Sequence, residues 1–155
     1  MRTSRNRTVP YEKPAEDYSK EELFALIERL KNGDDHLIDE LVHFTRSESN
    51  GCWHGRARAK ICRNLKNRPL DEASRLGLVA AIIGRLETGN FSEQFRDQLR
   101  LAIRFAPVKM HTVAERLQTA NKPHVRRFAL WVLGFLKRLK ELADKDSASN
   151  RGNSL

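Results

Sequence analysis

The segment from residue 123 to residue 142, PHVRRFALWVLGFLKRLKEL, restricts the possible fold more than any other part of the chain. At about 100° per residue, its apolar side chains cover more than half of a helix circumference. The remaining strip is basic and holds Arg126, Arg127, Lys137 and Arg138. An apolar arc this wide must contact several neighbouring helices rather than one. The segment therefore predicts an all-α fold in which a long helix packs within a stack.

Six shorter amphipathic segments precede this helix, and local start and stop residues mark most of their ends. Ser19 and Glu22 have the spacing of a capping box, which predicts that the first helix begins after Ser19. Gly33 and Gly89 are suited to helix C-termini, and Pro107 to a first helical turn. Short connections between about seven helices imply antiparallel neighbours, as in a bundle or a stack of helical hairpins.

A length of 155 residues suits one domain with one core. We predict that this domain covers residues 19–145, between a flexible arm over residues 1–18 and a disordered tail over residues 146–155. The arm is basic because it carries three arginines: Arg2, Arg5 and Arg7. No apolar run reaches the length of about 20 residues that spans a bilayer, so we expect no membrane partner and a cytoplasmic location. Cys52 and Cys62 are expected to stay unbridged in a reducing compartment.

Three predicted helices share an internal pattern of an apolar residue, an arginine and two further apolar positions. The arginines of these units are Arg58, Arg96 and Arg126, and each unit follows a helix and a short turn. Similarity at spacings of this kind indicates stacked helical hairpins rather than a closed bundle.

The segment Leu117–Leu136, LQTANKPHVRRFALWVLGFL, resembles the turn and second helix of a HEAT repeat. Val125, Arg126, Ala129, Leu133 and Gly134 match that pattern in place, whereas the two earlier units keep only the arginine and the apolar spacing. The resemblance implies a HEAT-like superhelix over roughly residues 35 to 142, with the first helix as a cap. It implies a fold far more than a function.

The net charge of +9 favours an anionic partner, and most of the positive charge lies after residue 55. If the third, fifth and seventh helices lie side by side, their basic residues form one face that could follow a phosphate backbone. The candidate anion-binding or nucleic-acid-binding residues are Arg56, Lys60, Arg63, Lys66, Arg96, Arg100, Arg104, Arg127 and Arg138. The alternative is that these are solvated surface charges, and that Arg58, Arg96 and Arg126 bind acids or carbonyl groups of their own hairpins.

Other site types have little support in the sequence. Trp53 is a candidate for exposure in a loop, but Trp131 and the phenylalanines lie on apolar faces and are predicted to be core, so an aromatic platform for bases is mostly missing. The zinc-ligand residue types lack paired spacing, and no catalytic motif is present, so we predict no metal, no cofactor and no enzyme activity. The residue types in question are His36, His43, Cys52, His54 and Cys62.

The leading hypothesis is thus a non-catalytic binding module whose basic face engages nucleic acid or an acidic protein surface. The alternative is a protein scaffold or self-associating subunit, possible as a homo-oligomer, that uses apolar surface at one end of the stack. A third interpretation, a relative of HEAT-like DNA-repair glycosylases, requires an acid paired with an aromatic residue in the groove.

Overall fold

The computed structural model describes residues 13–49, 51–91 and 94–152, and this part of the chain is all-α, as predicted. Two short 3-10 turns, Ala15–Asp17 and Asp35–Leu37, accompany the helices. The α-helices are α1 (Lys20–Lys31), α2 (Ile38–Arg46), α3 (His54–Leu65), α4 (Glu72–Thr88), α5 (Phe95–Phe105), α6 (Pro107–Leu117) and α7 (Pro123–Gly152).

The helix ends follow local chemistry in most places. The Ser19 hydroxyl accepts a hydrogen bond from the Glu22 amide at 3.0 Å, which confirms the predicted start of α1. Gly33 and Gly89 both have positive φ, at 102° and 76°, where a side chain would be strained. The N-cap residue of α5 is Gln94, which makes no side-chain cap hydrogen bond.

The seven helices form two layers. One layer contains α1, α3, α5 and α7 in that spatial order, and the other contains α2, α4 and α6. Between the layers, α2 packs on α3, α4 on α5 and α6 on α7, so the second to seventh helices are three successive hairpins. The prediction that α3, α5 and α7 lie side by side is confirmed.

Side-chain contacts show that neighbouring helices of the first layer run in the same direction. Arg63 of α3 contacts Asp97 of α5, and three residues further along, Lys66 contacts Arg104. Residue numbers therefore increase in the same direction along α3 and α5. Contacts between α5 and α7 follow the same rule, because Arg96 lies against Phe128 and Arg100 against the later Phe135.

The core consists of two clusters of buried side chains that meet in the middle of the stack. The first fills the space around Phe44 between α1, α2 and α3, and the second surrounds Phe95 between α4, α5, α6 and α7. Phe105 packs against both clusters. The two clusters therefore form a continuous apolar interior.

Residues 13–18 and 146–152 differ from the flexible arm and the disordered tail that the sequence predicts. Residues 13–18 pack on the domain, since Ala15 and Tyr18 are buried and the Tyr18 hydroxyl donates to the Glu40 carboxylate at 2.5 Å. The arginines Arg2, Arg5 and Arg7 lie outside the described residues. At the other end, α7 continues to Gly152 with its last residues fully exposed, because extending an existing helix avoids the cost of nucleation.

A buried arginine, Arg85 of α4, ties three helices together. Its Nη2 donates to the backbone carbonyls of Thr45 and Ser47 at the C-terminus of α2, and its Nη1 donates to Gln98 Oε1 of α5 at 2.8 Å. Its Nε bonds to Glu48 Oε1 at 3.0 Å. These bonds satisfy carbonyl groups that the end of a helix leaves without intrahelical partners.

Replacing Arg85 with methionine should lower the free energy of unfolding by about 3 kcal/mol, because the Thr45 carbonyl and Gln98 Oε1 would lose their buried donor, whereas the Ser47 carbonyl keeps its bond from Arg58. Methionine keeps much of the side-chain volume, so the loss reports mainly on the hydrogen bonds. Urea denaturation followed by circular dichroism measures the change. The control is Arg75→Met, at an exposed position of the same helix, which should change stability by no more than about 0.5 kcal/mol. Equal stability of the two variants would contradict the anchoring role of Arg85.

Candidate basic interface

The nine predicted basic residues all lie on the layer formed by α3, α5 and α7. Eight of them are exposed, and Lys60 is half-buried with its ammonium 4.9 Å from the centre of the Phe24 ring. Their spacing along each helix places the members of that helix on one side of it. We call this set the basic face: Arg56, Lys60, Arg63, Lys66, Arg96, Arg100, Arg104, Arg127 and Arg138.

One carboxylate, Asp97, neutralises part of the face between α3 and α5. Its Oδ2 accepts from Arg63 Nη1 at 2.6 Å, and its Oδ1 accepts from Arg100 Nη1 at 3.2 Å. The Asp97 side chain is only 16% exposed, so it is fixed between the two guanidinium groups. The Asp97 carboxylate therefore offsets one of the two positive charges of Arg63 and Arg100. The three groups together keep one positive charge.

Arg104 is held differently. Its Nε donates to the backbone carbonyl of Lys66 at 2.8 Å, which links α5 to the end of α3. A carbonyl group carries no formal charge, so this bond orients the guanidinium and leaves its full positive charge on the surface.

Aromatic rings of α7 contact four arginines of the basic face, including Arg100. The rings of Trp131 and Phe135 stack with centroids 5.2 Å apart, and the guanidinium of Arg100 lies 5.3 Å from the Trp131 centroid. Arg96 lies 5.8 Å from both Phe128 and Trp131. We call this group the arginine–aromatic strip: Arg96, Arg100, Arg127 and Arg138 with Phe128, Trp131 and Phe135. Cation–π contacts restrain a guanidinium without cancelling its charge.

The predictions for the aromatic residues hold only in part. Phe128 is buried as predicted, but Trp131 and Phe135 are only half-buried. Trp53 is not an exposed loop residue, because its ring packs against Phe24, Phe44 and His54. The signal for the strip is present in the sequence, where Arg127, Trp131, Phe135 and Arg138 recur at helical spacing along one side of α7.

Arg58 and Arg126 bind the turns that precede their own helices. Arg58 is 5% exposed, and its Nη2 donates to the Ser47 carbonyl at 2.6 Å. Arg126 Nη1 donates to the Ala120 carbonyl at 2.6 Å and to the Asn121 carbonyl at 3.1 Å. The structural interpretation of these two arginines is confirmed. Arg96, which occupies the equivalent position in the aligned unit, contacts the aromatic rings of α7 instead.

Metal-ligand residue types do not converge within the described part of the chain, where no group of three or more His, Cys, Asp or Glu side chains could hold a metal ion. Both cysteines are free. Burial raises the pKa of the Cys62 thiol to about 12, so it stays protonated at neutral pH, whereas Cys52 is exposed. The carboxylate that lies on the basic face, Asp97, is bound by arginines rather than placed beside an aromatic ring.

Comparison of the chain with protein-family models, with curated proteins and with solved structures gives no match. The functional argument therefore depends on the geometry of the basic face itself. Among the helices of the described residues, none is both long and apolar enough to cross a membrane.

Proposed function

We propose that the protein is a non-catalytic helical module that binds an anionic macromolecule, and specifically nucleic acid, through the basic face. The observation that carries the proposal is the arginine–aromatic strip, in which aromatic rings restrain Arg96, Arg127 and Arg138 without cancelling their charge. No carboxylate of the described residues lies within ion-pair distance of Arg96, Arg127 or Arg138.

Guanidinium chemistry favours nucleic acid over an acidic protein surface as the partner. A planar guanidinium can bind two oxygens of one phosphate and can also stack on an exposed base. Since rings of α7 already restrain these groups, less conformational entropy is lost when they bind. Half-buried Trp131 and Phe135 add aromatic surface of the kind that single-stranded nucleic acid uses.

We also propose that the three hairpins are HEAT-like repeats. The pairing of α2 with α3, α4 with α5 and α6 with α7 supports this interpretation. So does the shared role of Arg58 and Arg126, which occupy the same place in the aligned units and bind carbonyl groups of the preceding turn. Repeats of this kind form extended surfaces, which suits binding along a polymer.

Binding to a single-stranded oligonucleotide should weaken steeply as salt rises, and the double variant Arg96→Glu, Arg127→Glu should bind roughly tenfold or more weakly. Loss of two phosphate contacts should also make the slope of log affinity against log salt shallower by about two. Fluorescence anisotropy at several salt concentrations measures both quantities.

The matched control is Arg75→Glu, Lys109→Glu, which changes the net charge by the same amount at exposed positions of α4 and α6. It should retain most of the affinity and most of the salt slope. Equal weakening by both double variants would show that binding reflects net charge alone. Absent or salt-insensitive binding by the wild-type protein, or strong binding to an acidic polypeptide instead, would refute the proposal.

Replacing Trp131 with leucine should weaken binding several-fold although it removes no charge, because Arg96 and Arg100 lose the ring that restrains them. Base stacking on aromatic side chains is worth about 1–3 kcal/mol, which sets the scale of the loss. Oligonucleotide affinity is compared with that of Trp53→Leu, a tryptophan outside the basic face. If Trp131→Leu binds as tightly as the wild-type protein, the strip is not part of the interface.

A second candidate function is self-association through the terminal hairpin. A cavity of about 710 Å³ lies open between α6 and α7 and is lined by Val108, Leu133 and Leu136. Val108 is 79% exposed and Leu142 is 58% exposed, both large apolar side chains in or near the end helix. Self-association ranks second because it requires Phe128 and Trp131 to be largely exposed. Phe128 is buried and Trp131 is half-buried.

If self-association occurs, the apparent mass should rise with protein concentration, and Val108→Asp should restore the monomer by placing a charge in the apolar contact. Light scattering coupled to size-exclusion chromatography measures the mass. The control Leu76→Asp changes an apolar residue that is 57% exposed on α4 and should leave the mass unchanged. A monomeric mass at all concentrations would eliminate this candidate.

A further inference from the structure

A small polar cavity lies away from the strip, where the C-terminus of α2, the N-terminus of α3 and the connection between α4 and α5 meet. Its volume is about 190 Å³, and Arg58, Arg85 and Gln98 are among the residues that line it. This is below the range of about 300–1,000 Å³ that is typical of pockets for drug-sized ligands. The cavity is therefore suited to a single small group.

The charges around the cavity are unbalanced. Arg58 and Arg85 are 5% and 4% exposed, and one carboxylate, that of Glu48, bonds to Arg85. The Glu48 side chain is 60% exposed and is therefore a weakly held counter-ion. Burial, and secondly the charge of Arg85, lowers the pKa of Arg58 to about 10, so the Arg58 guanidinium remains charged at neutral pH. Among the described residues, two buried positive charges thus share the mostly solvated Glu48 carboxylate and a weaker interaction of Arg58 with Glu16.

Arg58 also has unused hydrogen-bonding capacity. Its Nη2 donates to the Ser47 carbonyl and to the Ser49 hydroxyl, at 2.6 Å and 2.5 Å, while its Nε is buried with no hydrogen-bond partner among the described residues. A buried charged donor without a partner costs more free energy than a neutral one. In contrast, every nitrogen of Arg85 donates at least one hydrogen bond.

The N-terminus of α3 adds further positive character. Its N-cap residue, Trp53, makes no side-chain cap, the first turn contains no acidic residue, and Gly55 of that turn lines the cavity. The partial positive charge of a helix N-terminus favours an anion.

We propose that this cavity binds one phosphate group, either inorganic phosphate or the terminal phosphate of an oligonucleotide. A phosphate dianion supplies the missing negative charge and several acceptor oxygens, and it fits a cavity too small for a larger ligand. The inference does not depend on the basic face, because the cavity is lined by residues outside that face.

The test titrates the full chain with inorganic phosphate against chloride at matched ionic strength, following the unfolding temperature and the heat of binding. Saturable stabilisation by phosphate beyond that by chloride is expected. Glu48→Gln should bind phosphate several-fold more tightly because it removes the competing carboxylate, whereas Glu141→Gln, an exposed control on α7, should not. Ser49→Asp places a carboxylate beside Arg58 and should abolish binding, whereas the exposed control Thr119→Asp should retain it.

Equal effects of phosphate and chloride in the wild-type protein would overturn the proposal, as would unchanged phosphate affinity in Glu48→Gln. The second outcome is informative even if Ser49→Asp fails to fold. Oligonucleotides with a 5′-phosphate and a 5′-hydroxyl distinguish the two sources, because only a terminal-phosphate site should prefer the first and lose that preference in Ser49→Asp. Phosphate binding without any oligonucleotide binding would support the cavity and refute the proposed function.

Discussion

The C-terminus of α2 is the point on which the packing of the stack depends. Its last carbonyl groups are buried, so they must find hydrogen-bond donors inside the protein. Arg58 of α3 and Arg85 of α4 supply them, and Arg85 also holds Gln98 of α5. Four helices are thereby fixed relative to one another by two side chains. The same arrangement buries two like charges close together and so creates the small polar cavity.

The arginines of the first layer have two roles: some join neighbouring helices, and some leave their charge on the surface. Between α3 and α5 the helices are joined by Asp97 and by the contact of Arg104 with the Lys66 carbonyl. Between α5 and α7 the contacts are cation–π contacts, which leave the charge intact. Among the described residues, Asp97 is the acid that offsets charge on the basic face, at Arg63 and Arg100. The charge of the basic face is therefore unevenly distributed.

Hydrophobic periodicity and capping residues were sufficient to predict the helices and most of the core. They could not predict the burial of Arg85, because its partners lie 37 to 40 residues away in sequence along α2 and the following turn. The pairing of Arg63 with Asp97 depends in the same way on the packing of α3 against α5. The sequence predicts a core position for Trp131, because the apolar residues of a helix do not reveal which of them a neighbouring helix covers.

The exposure of Trp131 has a simple cause in the position of α7. Each inner helix of the first layer has a neighbour on both sides, but α7 ends the described layer and has only α5 beside it. Its wide apolar arc is consequently covered by α6 and α4 from behind and by arginine side chains along the strip. The guanidinium groups of Arg100 and Arg138 lie over these rings and cover part of them. The proposed anion binding and the proposed self-association would thus use different sides of one helix, because the side toward α5 carries charge and the side toward α6 carries the apolar groove.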